Sequence, residues 1–166
     1  CTRAYTRYAV CCPSRAAMLT GKFPHTAGVR RNHSLLPINQ PTMSDELKKS
    51  GYRTGYIGKW HLDTGDSGGF VPRERRRGFD YWAAHNVQHK HYDCVYFGDT
   101  PAAIKAPGFQ PDHETNLAID FLKQPSRAPF YLHISYVAPH APYTPPLEHA
   151  IYNPDRLELR PNVHKT

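Results

Sequence analysis

Two short runs of β-forming residues, 52–57 (Tyr-Arg-Thr-Gly-Tyr-Ile) and 130–137 (Phe-Tyr-Leu-His-Ile-Ser-Tyr-Val), each follow a segment of helical pattern. That alternation restricts the fold more than any other feature. Helix, strand, helix, strand in this order calls for crossover connections, so an α/β layered sheet is expected rather than a meander. A helix is predicted over 43–50, with Thr42 placed to cap it and Gly51 to close it. Asp45 sits at the capping-box position, where Glu or Gln is more usual. A longer helix opens at Asp112 and carries Leu117, Ala118, Phe121 and Leu122 as an apolar stripe, ending near Gln124-Pro125. A short one is predicted over 13–20, because Pro13 suits a first helical position and Gly21 a C-terminal stop. From 58 to about 111 the chain is dense in Gly, Pro, His and Arg and no element is legible; a loop this long signals function or small unresolved elements.

At 166 residues the chain suits one domain. Its net charge of +7 favours anionic partners. The longest basic run, Arg73 to Arg77, is interrupted by Glu74 and lacks interleaved aromatics, so no nucleic-acid partner is expected. No apolar run has the length of a membrane span. The four cysteines, Cys1, Cys11, Cys12 and Cys94, match no zinc-ribbon spacing, and the adjacent Cys11 and Cys12 are a poor disulfide framework.

Polar clusters follow both predicted strands. Residues 52–57 run into Gly58-Lys59-Trp60-His61, and 130–137 into Ala138-Pro139-His140. Ligand sites in open α/β sheets form beyond the carboxyl ends of strands. If the chain stays extended after Ile57, Lys59 and His61 share a face and pair a cation with an imidazole, which suits a tetrahedral oxyanion. The plainer alternative is a surface lysine beside a loop histidine. Cys11 lies just before a helix N-terminus, where unpaired donors and the dipole favour anions, and Arg15 is close enough in sequence to reach the same locus. A nucleophile, a helix N-terminus and a guanidinium together suit attack on a sulfuryl or phosphoryl group; Cys11 and Cys12 as small buried hydrophobes are the alternative. His89-Lys90-His91 is a conceivable transition-metal chelate without carboxylate or thiolate partners at clear spacing, and His85, His89 and His91 are candidates to line a substrate cleft.

The string Cys11-Cys12-Pro13-Ser14-Arg15 followed by Leu19-Thr20-Gly21 resembles the Cys-x-Pro-Ser-Arg…Thr-Gly signature of the type I, formylglycine-dependent sulfatases. The resemblance extends to Gly58-Lys59-Trp60-His61-Leu62, to Gly78-Phe79-Asp80-Tyr81-Trp82 and to Ala138-Pro139-His140-Ala141-Pro142. It implies an alkaline-phosphatase-like α/β sheet with helices on both faces. It also implies a sulfuric ester hydrolase whose motif cysteine, Cys11, is oxidised by a maturation enzyme to formylglycine. By the same resemblance, Arg15 supports the nucleophile, Lys59 neutralises sulfate oxygens, and His61 contacts the hydrated aldehyde and acts as base for sulfate release. His140 serves the leaving-group oxygen. Pro13 and Ser14 serve maturation-enzyme recognition and the helix start, and Cys12 is only packed.

The family's divalent cation, usually calcium, is held by an upstream acidic pair and by downstream residues besides the matured cysteine. Asp63, Asp66 and Asp80 do not fit that pair, and Asp80 reads as structural. Residues 1–166 are therefore expected to be part of a single catalytic domain truncated at both ends, inactive as an isolated piece. The implied substrate is a sulfated sugar or small molecule, and the implied setting is periplasm, cell exterior or lysosome. A phosphonate or phosphate ester hydrolase of the same superfamily and a non-catalytic polysaccharide-binding module are the rival readings.

Overall fold

The computed structural model describes residues 3–63, 69–158, 161 and 162. Its centre is a three-stranded parallel sheet of β1 (Arg53–Lys59), β2 (Tyr81–His85) and β5 (Phe130–Ser135), in the order β2-β1-β5. Two short strands, β3 (Cys94–Tyr96) and β4 (Ile104–Ala106), form a separate antiparallel pair. Helices α1 (Cys11–Thr20), α2 (Pro24–Ala27), α3 (Met43–Lys49) and α4 (Gln110–Lys123) complete the layers.

The period-two alternation of strands divides the side chains of the sheet between two cores. On one face Tyr56, Trp82 and Ala84 pack with Cys12, Ala16 and Leu19 of α1, joined by Trp60 and Phe79. On the other, Ile57 and Ala83 pack with Ala118 of α4, backed by Leu117 and Leu132. The sheet thus carries helices on both faces, as the resemblance implies.

Local chemistry accounts for the helix limits. Thr42 accepts from the Asp45 N–H while the Asp45 carboxylate accepts from the Thr42 N–H at 3.0 Å, so the capping box forms with Asp in place of Glu. Gly21, at φ 68°, takes the left-handed conformation that ends α1. The start of α1 differs from the expectation of residue 13: the helix opens at Cys11, after Val10, which has no side chain able to cap. Asn32 supplies the cap from a distance, its Oδ1 accepting from the Cys12 N–H at 3.0 Å. Similarly α4 opens at Gln110, placing Asp112 inside the first turn rather than at the cap. Its stripe also buries Glu114, while Leu122 turns to solvent.

The stretch after 58 is not one long loop. It contains a 3-10 turn at Arg73–Arg75, then β2, β3 and β4. Strands of three to five residues leave little periodic signal, which is why they were illegible. The basic run proves to be internal bracing. Arg75 pairs with Asp63 at 3.1 Å, Arg76 with Asp99 at 2.7 Å, and Arg77 with Asp45 at 3.2 Å. Arg77 also donates to the carbonyls of Ile38 and Gln40. Asp80 is structural as expected, accepting from Lys48 at 2.5 Å beside Thr54.

Candidate active site

All three parallel strands end on the same side, with Lys59 paired in register with His85 and Gly58 with Ser135. Because β1 has β2 on one side and β5 on the other, its carboxyl end is the point where the strand order reverses, the usual ligand crevice of an open sheet. Gly58 makes this end possible. At φ 99° it bends the chain, and a Cβ there would lie 2.3 Å from the Ser135 carbonyl oxygen.

Lys59 is the last residue of β1, not the first of a loop, and it is only 2% exposed. No acidic side chain among the described residues pairs with it. Burial pulls its amine below the ordinary lysine range, the nearby Arg15 charge adds to this, and Cys11 opposes it. The chain then leaves the extended conformation, because His61 adopts φ 53°. The strand alternation on which the shared face of Lys59 and His61 was expected therefore does not hold: His61 is a left-handed residue whose N–H donates to the Asn86 carbonyl at 2.8 Å. Lys59 and His61 are both buried, which excludes the surface-lysine alternative.

Neither ring nitrogen of His61 nor of His85 has a hydrogen-bond partner among the described residues. Burial first, and the Lys59 and Arg15 charges next, push the His61 imidazole down to about 4 and that of His85 to about 3. Both are neutral at pH 7. Buried polar atoms without partners are uncommon in folded chains, and a cluster of them around a buried lysine fits an anionic ligand. The His33 ring stands edge-on to His61 at 5.6 Å.

Arg15 enters from α1. Its Nη1 donates to the Lys59 carbonyl at 2.6 Å and to the Ser135 hydroxyl, and reaches the Tyr56 hydroxyl at 3.5 Å. The Tyr56 hydroxyl donates to the same Lys59 carbonyl at 2.5 Å. The guanidinium therefore fastens α1 to the ends of β1 and β5, an anchoring part that its sequence position did not reveal. It also shares with Cys11, Ser14, Met18, His133, Ser135 and Tyr136 the wall of an open hollow of about 390 Å³. Cys11 is a free thiol in the first turn of α1, half-buried at that hollow, while Cys12 is fully buried and merely packed.

His140 stands apart from this core. It is exposed, on the loop after β5, and its ring stacks on that of His89 with centroids 4.2 Å apart. His91 faces the His140 carbonyl oxygen through Nε2 at 2.7 Å. His89 and His91 do not converge as a chelate. No group of three or more His, Cys, Asp or Glu among the described residues could hold a metal ion, and Asp66 lies outside those residues. The residues present do not by themselves fit a divalent cation.

Sequence reading singled out Cys11, Arg15, Lys59, His61 and His140; of these the structure places Lys59 and His61 buried at the end of β1 and Cys11 and Arg15 at one hollow, with His140 apart on the loop after β5. It named His85 and His89 only as cleft candidates, and missed Ser135, Tyr56 and Asn32. His85 was findable in principle, since it ends β2 as Lys59 ends β1.

A family model described as Sulfatase matches residues 1–156. An ulvan-active sulfatase of Formosa agariphila is 36% identical over 167 residues, covering 98% of this chain and 33% of that protein. An N-acetylglucosamine-6-sulfatase of Bos taurus is 34% identical over 171 residues, covering 90% of this chain and 30% of that protein. Among solved structures, a protein in complex with its substrate D-glucosamine-2-N,6-O-disulfate superposes with a TM-score of 0.71 at 34% identity, over 86% of this chain and 27% of that one. Another, from work on glycosaminoglycan metabolism by Bacteroides thetaiotaomicron, reaches 0.80 at 24% identity over 87% of this chain and 35% of that one, a likeness of fold. The chain spans about a third of the length of the curated relatives it matches. Its parallel sheet is part of the alkaline-phosphatase-like α/β fold, and the chain belongs to the sulfatase family.

Proposed function

We propose that these residues form part of the single catalytic domain of an enzyme that hydrolyses a sulfate monoester of a saccharide or small molecule. The observation that carries this reading is the buried Lys59 at the strand-order reversal, with no ion-pair partner among the described residues, accompanied by the buried imidazoles of His61 and His85 and with Cys11 at a hollow beside Arg15. Sulfated saccharides are the favoured substrates because relatives are named for ulvan and for N-acetylglucosamine 6-sulfate.

Cys11 is the proposed nucleophile position, matured to formylglycine by a dedicated partner enzyme that reads Pro13 and Ser14. The hydrated aldehyde would supply one hydroxyl to attack sulfur with expulsion of the ester's alcohol, and a second whose collapse to the aldehyde would break the C–O bond to sulfate and release it. Lys59 binds sulfate oxygens, and an arriving anion favours the ammonium form that burial disfavours. His61, neutral at pH 7, is able to accept a proton in the release step. Arg15 orients the nucleophile helix through its bonds to Lys59 and Ser135. His140 serves the leaving oxygen from the loop after β5. Calcium or another divalent cation belongs to the proposal only through the family; its ligands besides Cys11 would lie outside this chain, and no step here depends on it. A periplasmic, extracellular or lysosomal setting rests on the family in the same way.

The test is to co-express the full-length protein with a formylglycine-generating enzyme and compare matched aryl sulfate and aryl phosphonate monoesters. Mass spectrometry of the tryptic peptide 8–15 is expected to show aldehyde in place of the Cys11 thiol, with sulfate the better substrate. Faster phosphonate turnover would overturn the sulfate reading. An unconverted Cys11 with binding but no turnover would favour a polysaccharide-binding module.

A further inference from the structure

The loop between β2 and β3 meets the loop after β5 through two histidines that the proposed reaction does not use. His89 lays its ring flat on that of His140, 4.2 Å between centroids and 7° between planes. His91, itself buried, points Nε2 at the His140 carbonyl oxygen at 2.7 Å; a carbonyl only accepts, so this nitrogen donates. The loop is held for the purpose. The Gln88 side chain donates to the Val95 carbonyl at 2.7 Å, and the Gln110 N–H donates to the His91 carbonyl at 2.8 Å.

His140 has a defined tautomer as well. In the neutral ring its Nδ1, 2.7 Å from the Ala141 carbonyl oxygen, carries the hydrogen, so Nε2 donates to a leaving oxygen only from the imidazolium, whose second hydrogen it holds. Both rings of the stack are exposed, so burial of apolar area is a weak reason for it. A stack fixes the plane of a ring, and a backbone bond fixes where that ring is mounted. Together they determine the direction of Nε2.

We propose that His89 is a positioning residue: its stack, with the His91 bond to the backbone of the same residue, holds the His140 imidazole so that Nε2 meets the leaving oxygen of the sulfate ester. The proposal rests on the role given to His140 above.

The test uses the full-length matured protein and a series of aryl sulfates whose phenols range from weakly to strongly acidic. Help to a leaving oxygen matters most where the phenol is a poor leaving group. His140→Ala is expected to lose about 100-fold on the poorest leaving groups and little on the most activated. His89→Ala is expected to show the same selectivity at about 5- to 10-fold, and His89→Phe, which keeps a stacking ring, to recover most of it. A uniform loss across the series, no loss, or no recovery in His89→Phe overturns the proposal while His140→Ala keeps its selectivity. A uniform loss in His140→Ala overturns the reading beneath it. Melting curves of each variant separate unfolding from these outcomes, since unfolding lowers all substrates alike.

Discussion

The two ends of β1 carry a cation each, and their surroundings are opposite. At the start, Arg53 donates to the Phe121 carbonyl at 2.9 Å and lies over the Phe121 ring at 4.0 Å. Next to it, the Thr54 hydroxyl donates to the Gly78 carbonyl at 2.7 Å. At the far end, Lys59 is more deeply buried, yet meets two neutral imidazoles without partners and no carboxylate among the described residues. Polar groups at the first end tie helix to sheet. Those at the second end are unsatisfied by the protein itself, which is costly for stability and useful for a ligand.

The sharpest way to break this comparison is to remove each cation in the full-length matured enzyme. Lys59→Met is expected to cut kcat/KM for sulfate esters by about 10²- to 10³-fold while leaving the melting temperature unchanged or higher, because an unpaired buried amine is lost. A collapse of the fold with Lys59→Met would show that this end is structural after all. Glu114 offers the next largest effect. It lies behind Gly58, with Oε1 accepting from Gln110 at 3.0 Å and Oε2 without a partner, and burial pushes it up to about 8. A raised folded-state pKa means that its contribution is fully present below the unfolded value near 4.5 and is lost as pH rises through 8. Glu114→Gln is therefore expected to gain about 2 kcal/mol over the parent at pH 8.5 and nothing near pH 4, read from denaturation curves at both values.

Arg53→Met, at the opposite end, is expected to cost about 1–2 kcal/mol of stability with turnover held within about two-fold. Loss of turnover without loss of stability would erase the distinction between the ends. The smallest effect concerns His61 and His85, whose folded values of about 4 and 3 lie below the ordinary 6.5. The unfolded chain takes up protons first, so stability falls as pH drops below about 6.5 towards 4. A dianion beside the rings opposes this. The melting-temperature gain from inorganic sulfate is expected to be about 2 °C larger at pH 5.5 than at pH 8. A gain independent of pH would mean that the imidazoles do not face the anion.

Much of this architecture was legible because its signals are local. The capping box at Thr42 and Asp45 and the positive-φ stop at Gly21 are written in neighbouring residues. So are the motif string from Cys11 to Arg15, the lysine that ends β1 and the histidine two residues beyond it. What escaped is carried by long-range contact. Asn32 caps a helix 20 residues upstream, and Ser135 meets Arg15 across 120 residues. Likewise, the aspartates at 45, 63 and 99 that pair with three arginines of the run 73–77 lie outside it in the sequence. The extended chain expected between Lys59 and His61 does not form, since His61 adopts φ 53°.

Asn32 and His33 are consecutive, yet one caps the helix that presents Cys11 and the other abuts the ring of His61. The proposed nucleophile and the proposed base are thus registered to one another through a single peptide link. Inserting or deleting one residue in that loop would dephase the two without touching either, so a small change in length there would act on both at once.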